Sequence, residues 1–304
     1  MSGPLSHSSL VTIQVKPKPQ YALVTSFTGQ VYKLQNGTLT LIGTPVTSAL
    51  RQIAWKPDGS YALIAGDTAV LIKWNGTTLS QISTAGVMSA GDDLNTVAWK
   101  PDGSFALIGG SSGDLLRYDG TTLTRVTNPS THQIQGISWN PAGTQALIAG
   151  NGGTLLSYQN GVVTILNSGT TSDLYGIAWN PNGQYALASG ANGAILKYNG
   201  TSTLFNTAGL YPATTIVRFI AWNSAGTQAL LVGNAGGLVL SYNGSTLSVI
   251  AAVTSNGLFS VTWSGNTATL VGNSGTMLTY SNGVLKTAAT GVTTNLRGIA
   301  WKPT

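Results

Sequence analysis

Residues 174–183 read Leu-Tyr-Gly-Ile-Ala-Trp-Asn-Pro-Asn-Gly, and residues 51–59 read Arg-Gln-Ile-Ala-Trp-Lys-Pro-Asp-Gly. This pattern, an apolar run closing on Trp and followed by a Pro-x-Gly turn, recurs with variation along the chain. Its tryptophans fall at 55, 99, 139, 179, 222, 263 and 301, at spacings of 38 to 44 residues. A period near 40 points to a solenoid or a propeller, and it overrules the two-domain expectation that 304 residues would raise.

Four short strands fit in each period. Strand a is Ile/Val-Ala-Trp. Strand b is Tyr/Phe/Gln-Ala-Leu-Ile, as at 61–65 and 185–189; strand c is Leu-Leu-x-Tyr, as at 155–158 and 195–198; strand d is Leu-Thr/Ser-x-Ile/Val, as at 79–82 and 247–250. Helical periodicity is absent, and Gly and Pro punctuate every unit. Each c–d junction carries Asn-Gly or Asp-Gly, at 36–37, 75–76, 119–120, 160–161, 199–200, 243–244 and 282–283. That dipeptide predicts type I′ hairpins, with positive φ at both residues. The repeat predicts an all-β chain, a seven-bladed β-propeller with four antiparallel strands per blade.

Seven b–c–d sets start near residues 21, 61, 105, 145, 185, 228 and 268, but eight strands of type a align, because residues 10–15 fit as well as 296–302. Pro19 stands where other first turns carry Gly, and proline cannot take positive φ. The ring is therefore expected to close with 296–302 as the inner strand of blade one, beside residues 21–42. Residues 19–304 form one propeller. Residues 1–18 form an N-terminal arm that folds back or adds to another subunit in self-assembly.

Composition narrows the function. Lys and Arg number 14 and acids 8, so charged residues make up 7% of the chain, against roughly 25% in an ordinary soluble domain. All eight acids are Asp, and Glu and Cys are absent. Disulfide scaffolds and thiolate metal sites are excluded. The 42% apolar content argues against disorder, and no apolar run approaches the ~18 residues of a membrane span. No signal-peptide pattern is visible at residues 1–7.

The order a–b–c–d with inner strand Ile-Ala-Trp-x-Pro-x-Gly resembles WD-repeat propellers. The stretch 149–158, Ala-Gly-Asn-Gly-Gly-Thr-Leu-Leu-Ser-Tyr, is similar to the Gly-rich repeats of BNR and photosystem-assembly-factor propellers. The departures are definite. Trp74 is the one Trp at the strand-c end, and Asn75 follows it where WD repeats place Asp. Neither His7 nor His132 follows a Gly. The Asp-box of BNR repeats is represented at best by Asp119-Gly-Thr, without its closing aromatic.

A sialidase-like hydrolase, the weaker alternative, would need a Glu that this chain lacks, and glycosidases in general need two carboxyls across the scissile bond. Asp58, Asp102 and Asp119 belong to turns. With two His, no Cys and no Gly-x-Ser-x-Gly, no nucleophile–base pair emerges, so the chain reads as a non-enzyme. No metal or cofactor is expected. The repeated Trp and the strand-c Tyr118, Tyr158, Tyr198, Tyr242 and Tyr280 read as scaffold.

Function is sought where the repeat varies. The second residue of strand a is Arg51, Asn95, Gln135, Tyr175, Arg218, Phe259 or Arg297. The WD-repeat resemblance places this position near the channel mouth on the partner-binding face. Close arginines there could clamp a carboxylate or phosphate, although surface arginines more often stay solvated. Two long d–a loops add Asp92, Asp93 and Tyr211 as contact candidates for a protein or a glycan, and Asp92-Asp93 alone are too few for a cation site. The opposite face collects Lys16, Lys18, Lys56, Lys100 and Lys302 in an arc partly neutralised by Asp58 and Asp102. Fourteen cations without a basic, aromatic-interleaved cluster do not favour nucleic acid.

The expected function is a non-enzymatic interaction or structural scaffold, with a lectin-like glycan-binding propeller as the alternative. Few carboxylates imply weak acid sensitivity. That suggests an exposed setting: extracellular, at a cell surface, or in a virion.

Overall fold

The structure is a computed structural model that describes residues 21–89 and 91–303. The proposed arm 1–18, the competing strand 10–15 and Pro19 lie outside the described residues.

Twenty-eight strands, β1 to β28 in chain order, form seven four-stranded antiparallel sheets. The inner strands are β4 (Leu50–Trp55), β8 (Leu94–Trp99), β12 (Ile134–Trp139), β16 (Leu174–Trp179), β20 (Val217–Trp222), β24 (Leu258–Ser264) and β28 (Leu296–Trp301). Each touches the inner strands of both neighbours, so the ring is closed. Closure occurs where the sequence placed it. β28 pairs with β1 (Ala22–Ser26), Trp301 opposite Ala22 and Ile299 opposite Val24, completing blade one with residues 22–43.

Strand b of each blade is sandwiched between neighbouring blades, and so it reads as a continuous apolar run. β5 (Ala62–Gly66) and β13 (Ala146–Gly150) are buried at every position. Outer strands such as β15 (Val162–Leu166) face water and bury no residue fully. The repeated Trp stitches blades together. Trp55 meets Tyr21 edge-on at 5.6 Å, and its Nε1 donates to the Ala300 carbonyl of blade one at 3.2 Å. Trp139, Trp222 and Trp263 donate likewise to Ala98, Ala178 and Ala221 of the preceding blades. Each edge-on aromatic pair adds about 0.5–1.5 kcal/mol beyond its buried area. Tyr118 and Tyr242 close turns by donating to the Gly120 and Gly244 carbonyls.

The hairpin expectation needs correction. Only Asn36-Gly37, Asn160-Gly161 and Asn282-Gly283 have positive φ at both residues. At 75–76, 119–120, 199–200 and 243–244 the Gly alone is left-handed. These loops are longer and continue into Thr or Ser, and the Asx side chain organises them instead. Asn75 Oδ1 accepts from the N–H groups of Thr77 and Thr78, and Asp119 Oδ1 from those of Thr121 and Thr122.

Candidate functional site

Each inner strand contains a β-bulge, always at its second residue. Leu50 pairs with Gly66 and Gln52 with Ala65, so Arg51 has no partner. Asn95, Gln135, Tyr175, Arg218 and Phe259 are skipped in the same way, and on β28 the register shifts across Arg297. A bulge re-aims a side chain. Here the seven re-aimed residues converge from all blades on one cavity of about 60 Å³, with Gln52 and Phe219 completing its lining. Sequence reasoning found these positions but missed the bulge that makes them a set. Glycine at the third position, as in Gly176, lets blades approach: a Cβ there would lie 3.0 Å from the Arg218 carbonyl.

The three arginines are not equivalent. Arg51 Nε binds Asp67 Oδ1, and its Nη2 binds Asp93 Oδ2 at 2.9 Å. Arg297 lies over Phe27 and Phe259, at 4.7 and 4.9 Å from the ring centres. Arg218 lies over Tyr175 and Phe259, at 5.3 and 5.5 Å. Burial, then repulsion from Arg51 and Arg218, pulls the Arg297 guanidinium down to about 9. Burial lowers Arg218 too, with Arg51 adding to the effect. Both are therefore partly buried cations, not the solvated surface arginines that the bland expectation held.

The other candidates are mostly engaged. Asn95 Nδ2 donates to the Ile134 carbonyl and Gln135 Nε2 to Asn151 Oδ1. Tyr175 shares a long contact with Asp173, and burial raises its hydroxyl pKa. Asp93 is spent on Arg51 and on the Thr68 N–H. Asp92 lies beside Asp114, a carboxylate pushed up by burial and held 2.7 Å from Arg125; no motif in the chain announces that pair. Tyr211 turns inward, its hydroxyl donating to the Gly193 carbonyl, so it is not the exposed loop contact that was expected. On the opposite face Lys56 and Lys100 pair with Asp58 and Asp102, and Lys302 sits over Tyr21 and Trp55. Lys16 and Lys18 lie outside the described residues. Among the described residues there is no cluster of three or more metal-ligating acids or His, and no helix long and apolar enough to cross a membrane.

The family pattern described as "WD domain, G-beta repeat" matches residues 161–199. That window runs from β15 of blade four through the first three strands of blade five. Among curated proteins, none matches the chain in sequence. Two solved structures share the fold. One is titled "Crystal Structure of Mitotic Checkpoint Complex", at 15% identity and TM-score 0.63, covering 95% of this chain and 86% of that one. The other is titled "YCF48 bound to D1 peptide", at 13% identity and TM-score 0.68, covering 87% and 89%. At these identities the likeness is one of fold. The chain is a seven-bladed β-propeller, one stretch of which, residues 161–199, matches the WD-repeat sequence pattern.

Proposed function

We propose that the protein is a non-enzymatic interaction scaffold that receives a protein segment at the channel mouth. The observation that carries this reading is the convergence of seven bulged, non-repeating residues on one cavity. Repetition serves the ring, and the positions released from it gather on one face. That a propeller of the same fold is described with a bound peptide supports the choice of a polypeptide partner. The absence of Glu and the turn or ion-pair duties of most Asp weigh against catalysis. The glycan alternative, which calls on loop aromatics and Asn and Asp side chains, loses Tyr211 as a contact because that ring packs against the core. An exposed setting, extracellular or in a virion, belongs to the same proposal and is supported by the low carboxylate count.

The test is selection of binders from a displayed peptide library. Selected peptides should lose binding to Phe259→Ala and Arg297→Ala, and keep it to Lys56→Ala and Lys100→Ala on the opposite face. Peptides indifferent to the mouth variants, or a ligand found only on a glycan array, would overturn the reading.

A further inference from the structure

A repeated backbone bond makes the blades directly comparable around the mouth. The N–H of the residue after strand b donates to the carbonyl of the residue before strand a: Asp67 to Ala49, Phe27 to Asn295 and Asn234 to Ile216. Arg51 draws one acceptor from the first of these positions in its own blade, Asp67. It draws the other from the second position in the next blade, Asp93. The corresponding residues around Arg297 are Phe27 and Ala49. Around Arg218 they are Asn234 and Gly257. Both arginines thus occupy Arg51's position with both carboxylates replaced.

Nothing else substitutes. All eight aspartates lie among the described residues, and none forms an ion pair with Arg218 or Arg297. Neither guanidinium has a hydrogen-bond acceptor among the described residues, and Arg218 Nε is buried without a partner. An unpartnered buried donor in a native fold calls for an explanation, and an ion bound beside the guanidinium is one. The aromatic rings lie against both guanidinium groups and reduce their contact with water, which strengthens a charge-assisted bond to them. The cavity of about 60 Å³ limits the guest. One water needs roughly 10–15 Å³ by this measure, so the space suits an oxyanion of a few heavy atoms and excludes a sugar ring.

We propose that Arg218 and Arg297, flanking Phe259, form an oxyanion site that takes a carboxylate or phosphate group. The site deepens the interaction reading above and rests on it only for what carries the anion. Arg51 is not a ligand, because its charge is already paired with Asp67 and Asp93.

Titration calorimetry and thermal shift with inorganic phosphate and with acetate, against chloride at constant ionic strength, test the site without any partner. Wild type should bind saturably and melt higher. Arg218→Gln and Arg297→Gln should each weaken binding at least tenfold, with circular dichroism showing the fold retained. Saturation by phosphate alone assigns a phosphate ester as the carried group; saturation by both assigns a carboxylate as sufficient. No saturable response to either anion, or a response preserved in the double variant, overturns the site. The peptide selection would still stand or fall on its own result.

Discussion

Arg51 and Arg297 sit at the same bulge in adjacent blades, yet they live in opposite environments. Arg51 is neutralised by Asp67 and Asp93. Arg297 faces Phe27 and Phe259 and feels mainly burial and two like charges. The contrast extends to whole sectors. Seven of the eight acids belong to blades two and three and the loop between them, and none occurs after Asp173. The same residue type at the same backbone position is structural on one side of the mouth and unspent on the other.

The largest effect should come from breaking the satisfied side. Arg51→Ala strands two half-buried carboxylates and should cost about 2 kcal/mol in urea denaturation, between the values for exposed and buried pairs because both acids retain some water. Equal destabilisation by Arg297→Met would erase the comparison. That variant removes an unpaired cation and should instead stabilise the protein by about 1 kcal/mol at pH 7. Urea denaturation of Arg297→Met beside wild type at pH 7 checks the sign.

A transplant sharpens the comparison further. Ala49→Asp places a carboxylate where Arg51 finds Asp93. It should lower oxyanion affinity by about tenfold, worth about 1.4 kcal/mol, while leaving both arginines present. Unchanged affinity by calorimetry would show that the missing acid is not what leaves Arg297 available.

The smallest effect concerns acid. Hydrogen bonds from Lys56, Lys100 and Thr122 lead the causes that hold Asp58, Asp102 and Asp119 below the ordinary carboxylate range. Their contribution is present above an unfolded value near ~3.9 and is lost only as pH falls through the lowered folded values. Asp114 has the opposite sign: burial raises it, so its contribution is lost as pH rises through its folded pKa and recovered on acidification. The fold should therefore persist from pH 7 to pH 4 by circular dichroism. Any change in hydrogen exchange over that range should be confined to blades two to four and the Asp173 contact with Gly152. Acid-dependent opening in blades six or seven would contradict the account.

The ring was legible because its signals are local and repeated. Pro19 and the complete consensus at 296–302 were enough to choose the closing strand, which pairs with β1. The mouth was legible as a set of positions, because variation within a repeat is visible in a single chain. What each residue does there was not. Arg51 reaches Asp67 and Asp93 across 16 and 42 residues, and one of those contacts crosses between blades. Tyr211 was read as exposed from its loop, but its hydroxyl finds a carbonyl in blade five. At 75–76 and 119–120 the dipeptide alone points to a type I′ hairpin, but the Thr pair after it lets the Asx side chain close a longer loop.

The central claim is that the mouth holds two arginines awaiting an acceptor and one already satisfied. Following the arginine Nε–H resonances in a nitrogen-15 NMR titration with phosphate tests it most directly. The account predicts that Arg218 and Arg297 shift and saturate together while Arg51 stays fixed. Equal shifts at all three, or none at Arg218 and Arg297, would contradict it.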